Sequence, residues 1–352
     1  MTFYFEVNNL KRFLVSILLL AVIIFLGCSD EKQNTVAEFH GQTMGTTYSV
    51  KVINTALAND RKGMDKLKAG MDSVLVEVNN QMSTWQKDSE ISQFNASEST
   101  DWFPVSSEFV SVVERALQIG DESNGALDVT VGGLVNLWGF GAGSKERDEV
   151  PSDEAIKEAQ SLCGYQKLSF RKEEPALKKE VGGMYVDLSS IAKGYGVDKV
   201  AEYLTSAGYK NFLVEIGGED RASGKNQNGQ DWKIGVLVPD GSFDIEKVIN
   251  LHNMSVATSG DYRNYFEKDG VRYSHTIDPR TGKPITHSLA SVTVLHEDCT
   301  MADGYATAID VMGPEEGLKF AQEKKLPVFL IVKTKDGFEE KMTADFEQLF
   351  NK

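Results

Sequence analysis

Within the 352-residue chain, Met184-Tyr-Val-Asp187-Leu-Ser-Ser-Ile-Ala-Lys193-Gly194-Tyr-Gly196 passes from an apolar segment through an acidic residue straight into a helical pattern. Met184–Asp187 reads as a strand, residues 190–207 as a helix, and Phe212–Ile216 as the next strand. Outward from there, strand-like runs dominate: Trp232–Val238, Lys247–Leu251, Val271–Ile277 and Ala290–Leu295. Helical runs follow at 301–312 and 315–324. Toward the N-terminus, Thr46–Val52 alternates like a strand, and residues 56–79 carry a helical pattern that Gly63 and Gly70 weaken. Ser106 is a suitable N-cap for a helix reaching Ile119, with Gly120 near its end, and Pro151-Ser-Asp-Glu154 opens another. Strands succeed one another more often than they alternate with helices. The pattern predicts an α/β fold of the mixed α+β kind, a substantial antiparallel sheet flanked by helices, rather than a doubly wound parallel sheet.

The first residues carry a different signal. Lys11 and Arg12 precede an apolar run, Phe13 to Leu26, broken only by Ser16 and ending in Gly27-Cys28. That is a basic region followed by an apolar core too short for a comfortable membrane span. The small residue before Cys28 resembles a bacterial lipoprotein cleavage site, although Phe25 stands where Leu, Val or Ile is usual. The expectation is a signal peptide at 1–27, a lipidated Cys28 with a polar tether through residue 40, and a folded domain over 41–352. The alternative is an uncleaved anchor. A lipidated chain would be membrane-anchored facing the periplasm, with the inner membrane favoured over the outer; several acyl chains at ~0.8 kcal/mol per buried CH₂ hold stably.

Charge narrows the partners. The chain carries a net charge of −15, and removing residues 1–27 (Glu6, Lys11, Arg12) makes it one unit more negative. Such a surface argues against nucleic acid, whose binding is driven by phosphate neutralisation. Beyond Cys28 the only thiols are Cys163 and Cys299, which permit one disulfide without showing that they meet. No Cys/His spacing suggests zinc.

Three stretches have the chemistry of a site. At Asp187–Gly196 an acidic residue precedes a helix start, where free N–H groups favour phosphate and Lys193 adds a full charge; a capped structural turn with a solvated Lys is the equal alternative. Asp303 and Thr307 lie four apart on one helix face, and their oxygens suit a hard cation such as Mg²⁺, though most such pairs are only capping and surface residues. His275 ends a strand beside a Pro/Gly turn and is an acid/base candidate. By contrast, Gly139-Phe-Gly141-Ala-Gly143 has the wrong spacing for a dinucleotide loop and reads as a flexible turn.

In order along the chain come Gly41-Gln-Thr-Met44-Gly-Thr-Thr47, Met82-Ser-Thr-Trp85, Ala126-Leu127-Asp128, Val135-Asn-Leu-Trp138-Gly-Phe-Gly141 and Asp187-Leu-Ser-Ser190-Ile-Ala-Lys193-Gly194. Then follow Glu215-Ile-Gly217-Gly218, Thr258-Ser-Gly-Asp-Tyr262, His275-Thr-Ile277-Asp278-Pro279 and Ala302-Asp303 with Ala306-Thr307. This series, spanning roughly 40–345, resembles the FAD:protein FMN transferase family, the ApbE-type flavin transferases. The resemblance implies an ApbE-like, T-fold-type domain that uses Mg²⁺ to move FMN from FAD, its substrate, onto a Thr or Ser hydroxyl of other proteins, releasing AMP. It implies FAD contacts at Met44, Trp85, Ala126, Leu127, Asp128, Asp187, Lys193 and Ile277. It implies magnesium ligands at Ser190 (backbone carbonyl), Asp303 and Thr307, with His275 as the candidate base. Acceptors would be flavoprotein subunits of membrane redox complexes of the NADH:quinone reductase or Rnf type. Trp85 stands where Tyr is common, and an aromatic there goes with transfer rather than hydrolysis. Gly133 replaces a frequent Pro and Glu215 a frequent Asn. FAD hydrolysis to FMN and AMP, and a non-catalytic flavin-binding lipoprotein, remain the alternatives.

Overall fold

The computed structural model describes residues 35–144, 149–239, 244–260 and 264–349. Eight strands form one antiparallel sheet in which spatial order follows chain order: β1 (Val36–Thr43), β2 (Thr46–Ile53), β3 (Phe212–Ile216), β4 (Glu219–Ser223), β5 (Ser255–Ser259), β6 (Leu289–His296), β7 (Val328–Thr334) and β8 (Gly337–Met342). The chain leaves this meander for excursions that carry the helices. The longest joins β2 to β3 and includes α1 (Arg61–Met82), α2 (Ser107–Glu122) and α3 (Ala192–Ser206); α4 (Cys299–Lys324) joins β6 to β7.

Alternation along the strands sorts side chains into two cores. Phe212, Val214 and Ile216 of β3, with Tyr48, Val50 and Val52 of β2, face α1 and α3. Val328, Leu330 and Val332 of β7 and Val292 and Val294 of β6 continue that layer under α2 and α4. The intervening Phe329, Ile331 and Leu295 point to the other face, which the hairpin Trp232–Leu237/Ile245–Leu251 and Phe346 cover. A face buried on both sides explains why β6 reads as a nearly unbroken apolar run. On α1, Leu67, Met71, Leu75, Val78 and Met82 make the buried stripe.

Several expectations need correction. Met184–Asp187 is not a sheet strand; it makes a single bridge, Tyr185 to Val131. Its polar backbone is satisfied instead by side chains: Asn95 pairs with Val186 through both its amide atoms at 2.8 Å, and buried Lys179 donates to the Met184 carbonyl at 3.4 Å. The polar stretch before residue 41 is not all tether, because β1 starts at Val36 with Ala37 and Phe39 buried. Val271–Ile277 is broken after Ser274. The helical runs at 301–312 and 315–324 stand as expected: α4 consists of two helical segments parted at Gly313 (φ 78°), whose backbone is non-helical, with Pro314 opening the second. Ser106 caps α2 as expected, accepting from the Phe109 amide at 3.2 Å. The signal segment and Cys28 lie outside the described residues, and none of the described helices is long and apolar enough to cross a membrane.

Candidate active site

The N-termini of α3 and α4 meet, and each is capped by a carboxylate from the other helix. Asp198 of α3 accepts from the Cys299 and Thr300 amides at 3.1 and 2.8 Å and from the Thr300 hydroxyl at 2.7 Å. Asp303 of α4 accepts from the Gly194 amide, in the first turn of α3, at 2.9 Å. The residue preceding α3, Ile191, supplies no side-chain cap, so Asp303 takes that place. Gly194 is required for the approach: a Cβ there would stand 2.3 Å from the Cys299 carbonyl oxygen and 2.9 Å from the Asp303 Cβ.

Beside this junction, Lys193 Nζ lies 3.1 Å from Glu219 Oε1 and 3.5 Å from Asp303 Oδ1. Both carboxylates are buried. Burial pushes both the Asp303 and the Glu219 carboxyls above their ordinary range, against the pull of the Lys193 ammonium and, at Asp303, of the Gly194 amide. Burial acts against the Lys193 charge, but the two carboxylates outweigh it and hold the ammonium protonated. One positive charge thus faces two buried carboxyl groups. On α4, Thr307 stands one turn beyond Asp303, and its Oγ1 donates to the Ser190 carbonyl at 3.4 Å. Asp303, Thr307 and the Ser190 carbonyl supply a carboxylate, a hydroxyl and a carbonyl, a donor set whose chemistry suits a hard divalent cation. No group of three His, Cys, Asp or Glu side chains among the described residues has metal-holding geometry; this set uses a single carboxylate.

Lys193 also lines an open cleft of about 1100 Å³, together with residues 41–47, the C-terminal half of α1 and the loop that follows it. Met44 (φ 49°) and Gly45 (φ 74°) form the two-residue turn between Thr43 and Thr46. Left-handed conformation at both positions is what a tight hairpin demands. The turn is tied to α1 by the Asn79 amide donating to Thr43 Oγ1 at 3.0 Å, and Met44 reaches Gly196 of α3, where a Cβ would meet its Cε at 2.8 Å. Also lining the cleft, Trp85 is 69% exposed. Its loop is pinned by Ser89, whose hydroxyl donates to the Ser83 carbonyl at 2.7 Å. A large exposed indole on a fixed loop beside a cleft offers a surface on which a flat ring can stack.

The other predicted residues arrange behind the cleft. Ala126 and Leu127 are buried in the main core, and neither they nor Asp128 line the cleft. Both Asp128 oxygens are engaged: Oδ1 by Thr130 (amide at 2.8 Å, hydroxyl at 2.6 Å), Oδ2 by the Tyr165 amide at 3.0 Å. The segment runs beside Asp187, whose amide donates to the Val129 carbonyl at 2.8 Å and whose Oδ1 takes the Ser189 amide and hydroxyl. Ile277 is buried among Leu134, Trp138 and Phe266, and the Trp138 indole donates to the Gly282 carbonyl at 2.9 Å. The Val135–Gly141 motif is thus a buttress for the loop that carries His275. The neighbouring Thr276 donates to Asp310, which follows Thr307 on the same face of α4. His275 Nδ1 is 3.1 Å from the Asn264 carbonyl; donation there makes Nε2 the basic nitrogen. Cys163 and Cys299 are separate, buried, free thiols.

Sequence reasoning missed Glu219. The pair Gly217-Gly218 was visible, but nothing in it announces that the next residue meets Lys193. Glu215 finds a role as well: its Oε1 accepts from the Gly218 amide at 2.9 Å and closes the β3–β4 turn.

Comparison with known proteins places these features. The family model described as the ApbE family matches residues 44–330. The chain is 46% identical over 335 residues to the FAD:protein FMN transferase of Vibrio cholerae serotype O1, covering 95% of this chain and 98% of that one. It is 42% identical over 347 residues to the protein of the same name from Haemophilus influenzae, covering 97% and 99%. The solved structure of the flavin transferase ApbE from Vibrio cholerae matches with a TM-score of 0.82 and 45% identity, over 90% of this chain and 99% of that one.

Proposed function

The chain belongs to the ApbE family and is a FAD:protein FMN transferase; from that premise we propose how its own residues hold FAD, a cation and the acceptor hydroxyl. The supporting observation is the junction of α3 and α4, where Lys193 meets Asp303, Thr307 meets the Ser190 carbonyl, and Lys193 also lines the cleft. Asp303, Thr307 and the Ser190 carbonyl would hold Mg²⁺, which when bound supplies positive charge to the diphosphate.

The flavin ring of FAD lies against Trp85 and Met44, and the diphosphate is drawn toward the Lys193 ammonium and the first turn of α3. The Ala126–Asp128 backbone, Asp187 and Ile277 complete the FAD contacts. A Thr or Ser hydroxyl oxygen of the acceptor forms a bond to the FMN-side phosphorus as the bond to the AMP oxygen breaks; AMP leaves. His275 Nε2 takes the hydroxyl proton. Positioning and fixed charge provide most of the rate gain in such transfers. Incubating the protein with FAD, Mg²⁺ and a candidate acceptor tests this. Covalent flavin fluorescence on the acceptor with one AMP released supports it; free FMN without labelling would mean hydrolysis, and unchanged FAD would mean binding alone.

The acceptors are proposed to be subunits of membrane redox complexes of the NADH:quinone reductase or Rnf type, reached from an anchor on Cys28 facing the periplasm. The intact mass of a co-expressed acceptor should rise by one FMN. The intact mass of the mature protein should begin at a diacylated Cys28.

A further inference from the structure

We infer that Glu219 is a positioning residue for the transfer, holding the Lys193 ammonium so that Asp303 can release it to a cation. The inference rests on the cation site proposed above. Glu219 opens β4 directly after Gly217 (φ 61°) and Gly218 (φ 102°). The turn supports the Lys193 stem: a Cβ on Gly217 would lie 3.4 Å from Lys193 Cδ and 2.8 Å from Thr46 Cγ2. The β3–β4 turn and the helix end are thereby fixed to each other, with Glu219 Oε1 at 3.1 Å from Nζ.

Lys193 is shared between two carboxylates, and only one of them belongs to the oxygen set that suits a hard cation. If Asp303 turned to a cation without Glu219 present, the ammonium would lose both partners and compete for the same oxygens. Glu219 removes that competition. It stays with Lys193 and keeps the charge at the cleft wall, where a diphosphate would meet it. Its other oxygen, Oε2, is buried with no hydrogen-bond partner. Leaving a buried carboxylate oxygen unsatisfied is costly, and such groups persist where function requires them. The Glu219–Lys193 contact offsets that cost.

The experiment measures Mn²⁺ binding by electron paramagnetic resonance, with Mn²⁺ standing for Mg²⁺ because both prefer oxygen ligands, and FAD affinity in EDTA by flavin fluorescence. Glu219→Gln should raise the Mn²⁺ dissociation constant about tenfold and the FAD dissociation constant by a similar factor, the scale of one lost charge-assisted contact. In a Lys193→Met background the same Glu219→Gln change should alter Mn²⁺ affinity less than about twofold, because Glu219 acts through Lys193. Glu219→Asp keeps the charge and should recover part of the lost Mn²⁺ affinity; it also serves where the Gln variant folds poorly. Equal Mn²⁺ affinity in wild type and Glu219→Gln, or the same loss in both backgrounds, would overturn the role of Glu219. Wild type that binds no Mn²⁺ would overturn the cation site itself.

Discussion

Two walls of the site are built on opposite principles. At the α3–α4 junction, Lys193, Asp303 and Glu219 are fixed by helix ends, a glycine turn and each other, with both carboxylates withdrawn from water. Elsewhere along the cleft, Trp85 stands on a loop with most of its indole in solvent. The first wall has its electrostatics in place before any substrate arrives, and charge acts strongly there because water is excluded. The second offers area and shape. Substitutions at the junction should therefore abolish chemistry, whereas those on the rim should weaken binding and leave the chemical step largely intact.

The largest test of this contrast is Asp303→Ala. Metal-dependent AMP release should fall about 10³-fold or more, the scale of removing a group aimed at developing charge; full activity would erase the distinction between the walls. His275→Asn should follow with a loss on the order of 10²-fold in single-turnover transfer to an acceptor, and the loss should shrink at high pH, where the hydroxyl needs less help. A variant that transfers normally removes His275 from the proton path. Gly194→Ala tests whether the junction tolerates any opening. The added methyl meets the Cys299 carbonyl, so urea unfolding should show a loss of about 1–3 kcal/mol, against less than about 0.5 kcal/mol for Gly133→Ala, which has open space around it. The smallest effect is expected on the rim: Trp85→Ala should raise the FAD dissociation constant by up to about tenfold and shift product from labelled acceptor toward free FMN. If Trp85→Ala cost as much as Asp303→Ala, the rim would belong to the chemical machinery after all.

The same contrast governs what could be read from the sequence. Elements whose stabilisation is local were legible. Ser106 announces α2 through its own hydroxyl, and the helical runs at 301–312 and 315–324 are parted where Gly313 and Pro314 interrupt the helix by backbone chemistry alone. Thr46–Val52 shows its alternation because one face of β2 is well buried and the other only partly. Elements stabilised at a distance were not. β1 hides Ala37 and Phe39 among polar neighbours in what looks like a tether. Val328–Val332 is apolar on both faces, so its periodicity does not distinguish strand from helix. Met184–Asp187 has the composition of a strand, but Asn95 and Lys179 satisfy its backbone in place of a ladder. In the site, the spacing of Asp303 and Thr307 on one helix face was legible, whereas Ser190 came only with the family resemblance. Glu219 was invisible because its meaning lies in meeting residue 193 across a turn, which no local pattern encodes.

The exchange of caps between α3 and α4 has a kinetic corollary. Neither first turn can unwind while the other helix keeps its carboxylate in place, so the two ends should open as one event rather than fray separately. The amide of Gly194 on one helix and those of Cys299 and Thr300 on the other should then exchange their hydrogens with deuterium at a common rate. Cation added without FAD or acceptor should change that rate at all three positions together, turning a static pair of caps into a reporter of occupancy.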